Sequence, residues 1–185
     1  SASGVAAGLM VALVVFGGSA FRPIGGWLAD RIGGLKALQI LFALVAVAYL
    51  TMAFLPQGPA PAADVAALAK VGGWAFTDLP GIAWIAVSVF FAGAMALGMG
   101  NGCVFQLVPL RFRNEIGVMT GLVGAAGGLG GFFLARTLGL SRDLTGGFAA
   151  GFWLFATLAV VGLVGLVLVK TRWRTTWGAV SGARV

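Results

Sequence analysis

FRPIGGWLADRIGG, residues 21–34, is the stretch whose reading decides the fold. It closes a long apolar run, holds Arg22 inside that run, and ends in a glycine-flanked Asp30-Arg31 pair. The apolar part is long enough to reach across a hydrocarbon core of ~30 Å. The segment therefore reads as the end of a membrane-spanning helix followed by a tight cytoplasmic turn, 29–34. Arg22 then stands where lipid should be, and a charge at that depth is costly and by default functional.

Working outward, the rest of the chain repeats the apolar pattern. Of 185 residues, 60% are hydrophobic and 9% charged, with a mean hydropathy of +1.04. That composition is far from the soluble range. Five spans are expected, at about 5–28, 35–55, 82–107, 116–134 and 148–169, giving an all-α polytopic transmembrane bundle. Pro56 stops the second span, and a Pro/Ala-rich connection follows it. Within that connection Asp64 could cap a short helix through Lys70, ended by Gly72 and Gly73. Trp74, Phe76 and Trp84 suit an interfacial aromatic belt.

The net charge of +7 comes with the spans and needs no nucleic-acid partner. Arg31, Lys36, Arg111, Arg113, Lys170, Arg172, Arg174 and Arg184 collect on one side. Lys70, Arg136 and Arg142 fall on the other, near Asp64, Asp78 and Asp143. The positive-inside rule puts the first group, and the C-terminus, in the cytoplasm of a multi-pass protein of the cytoplasmic membrane. The first, third and fifth helices then run inward and the other two outward. The chain has no histidine and a single cysteine, Cys103. Histidine catalysis, a thiolate metal cluster and an intrachain disulfide are thereby excluded, and no cofactor or enzymatic activity is expected. Cys103 reads as a small core residue. The first span begins almost at Ser1 with no basic leader, so a piece of a larger membrane protein is expected.

Three groups reach one depth. Arg22 lies nine residues before Arg31, or ~13–14 Å along a helix. Asn101 lies ten residues before Arg111 and reaches a similar level, as does Gly124, nine past Glu115. The blander reading of Arg22 is a side chain that snorkels to the interface or pairs with a structural carboxylate. Snorkelling over two turns is strained, and all five acids sit at span ends. The sharper reading is an anion ligand. On the fourth span Gly117, Gly121, Gly124, Gly128 and Gly131 share one face, widened by Gly127 and Gly130. Such a face suits close helix packing, and it also suits helix sliding and room for a small substrate. Asn101, flanked by Gly100 and Gly102, either bonds a neighbouring helix or supports the anion. Pro109 is expected to loosen the end of the third span, and Gln106 to be structural or gate-lining.

Together, FRPIGGWLADRIGG, GMGNGCVFQLVPLRF (98–112) and TGLVGAAGGLGGFFL (120–134) resemble the nitrate/nitrite porter family of the major facilitator superfamily. The glycine run resembles the family's nitrate signature. The turn with Gly26, Asp30, Arg31, Gly33 and Gly34 resembles the superfamily's generic gating motif and supports fold more than substrate. The resemblance covers essentially the whole chain and implies helices eight to twelve of twelve, a partial C-terminal half whose N-terminal half is missing. It implies that one arginine from each half clamps the anion, with Arg22 the C-terminal member. Asn101, Gly124, Gly127 and Gly128 would line the site, while Gly117, Gly121 and Gly131 would pack helices. The implied function is secondary transport of nitrate or nitrite by alternating access, by exchange or with proton coupling arranged elsewhere. The rivals are a transporter for another small or organic anion, or a scaffold subunit that transports nothing. A larger substrate would want more polar lining than Arg22, Asn101 and Gln106 provide.

Overall fold

A computed structural model of the chain describes residues 2–55 and 81–173. The expected helix from Asp64 to Lys70, its glycine stop, Trp74, Phe76, Asp78, Arg174 and Arg184 lie outside the described residues. Six helices follow in order: α1 (Ala2–Ala20), α2 (Arg22–Ile32), α3 (Gly34–Phe54), α4 (Gly81–Arg111), α5 (Ile116–Thr145) and α6 (Ala149–Trp173). Among the described residues there is no strand. Helices α1 and α2 form one span, Val11–Ile32, so five segments are long and apolar enough to cross a membrane. The protein is a multi-pass, all-α membrane protein.

The break between α1 and α2 has a local cause. Pro23 has no N–H to give the carbonyl of Ser19, and its ring crowds that carbonyl. The winding nevertheless carries through. The Phe21 N–H bonds the Gly17 oxygen and the Gly25 N–H bonds the Phe21 oxygen, both at 3.1 Å. At the far end α2 stays helical to Ile32, past the expected limit at Leu28, and the link to α3 shrinks to Gly33 alone. Gly33 has φ 95° and ψ 135°, a conformation open essentially to glycine. Helices α4, α5 and α6 also outrun their expected spans, α6 reaching Trp173. Helix α4 continues through Pro109 to Arg111, and α5 continues from Leu134 to Thr145, taking Arg136 and Arg142 into the helix.

Contact registers give the helix directions. Asp30 pairs with Gln106, 76 residues on, and Gly25 with Cys103, 78 on. A near-constant offset means that α2 and α4 run parallel. Gln39 meets Lys170, Phe42 meets Gly162 and Phe54 meets Trp153, so α3 and α6 are antiparallel. Leu138 meets Gly151 and Phe133 meets Phe155, so α5 and α6 form an antiparallel hairpin. The alternation expected from the basic residues therefore holds within the bundle.

Helix α3 is the centre. It packs against α4 and α6, while α1 and α2 lie on α4. The core is small-grained: Ala29, Ala37, Ala46, Ala96, Cys103 and Ala159 are buried with Leu38, Leu41, Val45 and Leu107. In lipid, helices gain nothing by hiding leucine from the tails. Close approach over small residues and good dispersion contact hold them together. Helix α5 is the outlier. It touches α6 and only lightly α4, and its one buried residue is Ser141. That serine fastens the hairpin: its hydroxyl donates to the Gly147 oxygen at 2.9 Å and accepts from the Gly151 N–H at 3.1 Å.

Candidate functional site

Arg22 is the first residue of α2, and its side chain is exposed. Among the described residues its guanidinium has no hydrogen-bond or ion-pair partner. The acids that are described, Asp30, Glu115 and Asp143, sit toward helix ends. Among the described residues nothing compensates this positive charge, which lies about 13–14 Å along the helix from Arg31.

What fixes Arg22 at this point is a seam of glycines. A Cβ on Gly102 would run into the Arg22 carbonyl oxygen and approach the Gly26 N at 3.0 Å; one on Gly98 would strike the Gly18 carbonyl; one on Gly25 would strike the Met99 carbonyl. The α1–α2 backbone thus lies directly on α4, backbone to backbone. Cys103 adds a buried thiol donating to the Gly25 oxygen at 3.2 Å, which bears out its reading as a core residue. Gly18, Gly25, Gly98 and Gly102 were not singled out for packing from the sequence. The four-residue spacing of Gly98 and Gly102 was the available signal.

Asn101 is half-buried, next to Gly102 on which Arg22 rests, so the two share a level. No hydrogen bond joins them, and the Asn101 amide has no partner among the described residues. The helix pairings carry the level onward through Phe42 with Gly162 to about the Gly124–Gly128 stretch of α5. Among the described residues the glycine face itself meets nothing. An added Cβ at Gly117, Gly121, Gly124, Gly127, Gly128, Gly130 or Gly131 would find no atom within 4 Å. The close packing expected of Gly117, Gly121 and Gly131 is not made among the described residues, because α5 meets α6 further along its length, at Phe133, Leu138 and Ser141.

The turn motif divides its labour. Gly33 supplies the positive φ. Gly34 lets α3 approach α4: a Cβ there would sit 2.6 Å from Leu107 Cδ2 and 3.2 Å from Gln106 Oε1. Gly26 is in ordinary contact only, 3.8 Å from the Gly102 oxygen. Asp30 does not hold Arg31, its neighbour in the motif. Gln106 Nε2 donates to Asp30 Oδ1 at 2.8 Å, while the Arg31 guanidinium lies 4.3 Å from the centre of the Trp27 ring. The expected structural or gate-lining role of Gln106 thus has a concrete partner. In the complete transporter that the resemblance implies, Asp30→Asn, which weakens this charge-assisted bond, is expected to slow transport turnover while leaving anion affinity within about twofold of wild type, since Asp30 is ~12 Å along the helix from Arg22. Initial rates and equilibrium binding on the same preparation check this; loss of binding with turnover intact would refute it.

Among the described residues no group of acids, histidines or cysteines could hold a metal ion.

Comparison with known proteins bears on this arrangement. No family model matches the chain, and no solved structure does either. Curated relatives do. The chain is 33% identical to the "Nitrite extrusion protein" of Bacillus subtilis (strain 168) over 163 residues, 88% of this chain and 34% of that protein. It is 30% identical to the "Probable nitrate transporter NarT" of Staphylococcus aureus (strain JH9) over 177 residues, 96% of this chain and 37% of that protein. The chain thus spans about a third of the length of these relatives. Similarity over nearly all of its helices means that this chain belongs to the nitrate/nitrite porter family.

Proposed function

We propose that this chain takes part in the transport of nitrate and nitrite, with Arg22 as the anion ligand. The observation that carries the reading is a guanidinium at membrane depth with no partner among the described residues. Such a charge is tolerable only if something negative or polar visits it. Nitrate and nitrite are small and planar, and they present two oxygens to the fork of an arginine. The relatives' names, one for nitrite extrusion and one for nitrate transport, fit a site that accepts both.

Transport would proceed by alternating access, with this bundle forming one half and a second half closing over the site. The open glycine face of α5, with Gly124, Gly127 and Gly128 near the Arg22 level, is a surface that such a half could move against. The C-terminal end with Lys170 and Arg172 would face the cytoplasm. The lack of a mid-depth acid in the described helices favours exchange of one anion for another, or proton coupling from the other half. The test is flux of labelled nitrate and nitrite into proteoliposomes holding the complete protein. Saturable uptake of both, accelerated by either anion on the opposite side, is expected. Uptake of neither, with an organic anion carried instead, would favour the rival transporter; no flux of any anion would favour a scaffold.

A further inference from the structure

We propose that Ser19 is a second anion ligand and that it selects nitrate over nitrite; this rests on the reading of Arg22 as the anion site. Ser19 lies three residues before Arg22, and both side chains are exposed. The helical winding persists between them, as the Phe21 and Gly25 hydrogen bonds show. Side chains three apart on a helix are neighbours, with Cβ atoms about 5–6 Å apart.

The Ser19 hydroxyl is free to donate. Buried in lipid, a hydroxyl on a helix ordinarily bonds the carbonyl four residues back. Thr51 does so to Val47 at 2.9 Å, Thr157 to Trp153 at 2.9 Å and Thr145 to Ser141 at 2.7 Å. Ser19 has no partner among the described residues. Ser88, Thr120 and Thr137 are also unpaired, but they stand on α4 and α5, away from the first turn of α2. The Ser19 carbonyl also loses its usual helical partner four residues on, because Pro23 has no N–H. Polar groups without partners are strongly disfavoured in hydrocarbon. The face shared by Ser19 and Arg22 therefore lines a polar space and not the lipid.

The selectivity follows from counting oxygens. Nitrate has three. A bidentate guanidinium engages two, leaving one that the hydroxyl of Ser19 can reach. Nitrite has two, and the same guanidinium occupies both. A donor aimed at the third oxygen of nitrate thus gains a hydrogen bond that nitrite, with only its more distant nitrogen lone pair in that direction, does not match in the same pose.

The experiment is equilibrium binding of nitrate and of nitrite to the purified complete protein, as wild type, Ser19→Ala and Ser19→Thr. Ser19→Ala is expected to weaken nitrate about tenfold, the loss of one hydrogen bond to a charged acceptor, and to leave nitrite within about twofold. Ser19→Thr keeps the hydroxyl and is expected to retain the nitrate preference. Equal affinities for wild type and Ser19→Ala overturn the proposal, and so does an equal loss for both anions. Wild-type protein that binds neither anion overturns the transport reading itself, and is told apart by the absence of any wild-type signal.

Discussion

Arg22→Lys is expected to bind nitrate at least ~10-fold more weakly than wild type, and Arg22→Ala to show no measurable binding. A guanidinium offers two parallel N–H donors in a fixed plane, whereas an ammonium is a compact point charge without that fork. Losing one charge-assisted bond costs on the order of 1.5–3 kcal/mol, which is ten- to a hundredfold in affinity. Alanine removes the charge as well. The fold should survive both changes, because α2 rests on α4 through the backbone of Arg22 and not through its side chain. Nitrate titration of the three purified proteins, with chloride as control anion, decides the matter. Wild-type affinity in Arg22→Lys would rule out bidentate binding. Failure of both variants to fold would mean that Arg22 serves structure first.

The second large effect is expected at Gly102, and it is one of stability. Gly102→Ala places a methyl where the Arg22 carbonyl oxygen now lies. That oxygen belongs to a helix backbone, so no side chain can turn aside to make room. The helices must part, and contact along the Gly18–Gly98 and Gly25–Met99 approaches goes with them. Overpacking costs about 1–3 kcal/mol where side chains can adjust, and a backbone collision stands at the upper end. Gly102→Ala is therefore expected to lower the thermal midpoint and the folded yield in detergent markedly, and Gly102→Leu to abolish folding. Gly124→Ala and Gly124→Leu serve as the contrast. No described residue lies within 4 Å of an added Cβ at Gly124, and leucine is favourable in lipid, so both should melt like wild type. Gly124→Leu should still lose transport, since bulk on that face would obstruct a second half moving past it. A Gly102→Ala protein as stable as wild type would mean that the α2–α4 seam is looser than its geometry shows. Unimpaired uptake by Gly124→Leu would remove the glycine face from the mechanism.

The sequence by itself determined that this is a bundle of five membrane spans with alternating directions. Long apolar runs admit one solution in lipid, because every backbone N–H and C=O must be satisfied within the segment. It also singled out Arg22, since a charge inside such a run stands out against its surroundings. Family membership was legible in three stretches, 21–34, 98–112 and 120–134. Which glycines pack against which helix was decided only by the tertiary structure. The run on α5 and the pairs on α1, α2 and α4 are alike as spacing patterns. Gly98 and Gly102 are pressed against a backbone, while Gly124 and Gly128 face open space. Spacing places residues on a face but does not say what the face meets. The partner of Asp30 is a case of the same kind. Arg31 is its neighbour in the chain, but successive residues point about 100° apart on a helix, and Gln106, brought alongside by the parallel packing of α4, takes the carboxylate instead.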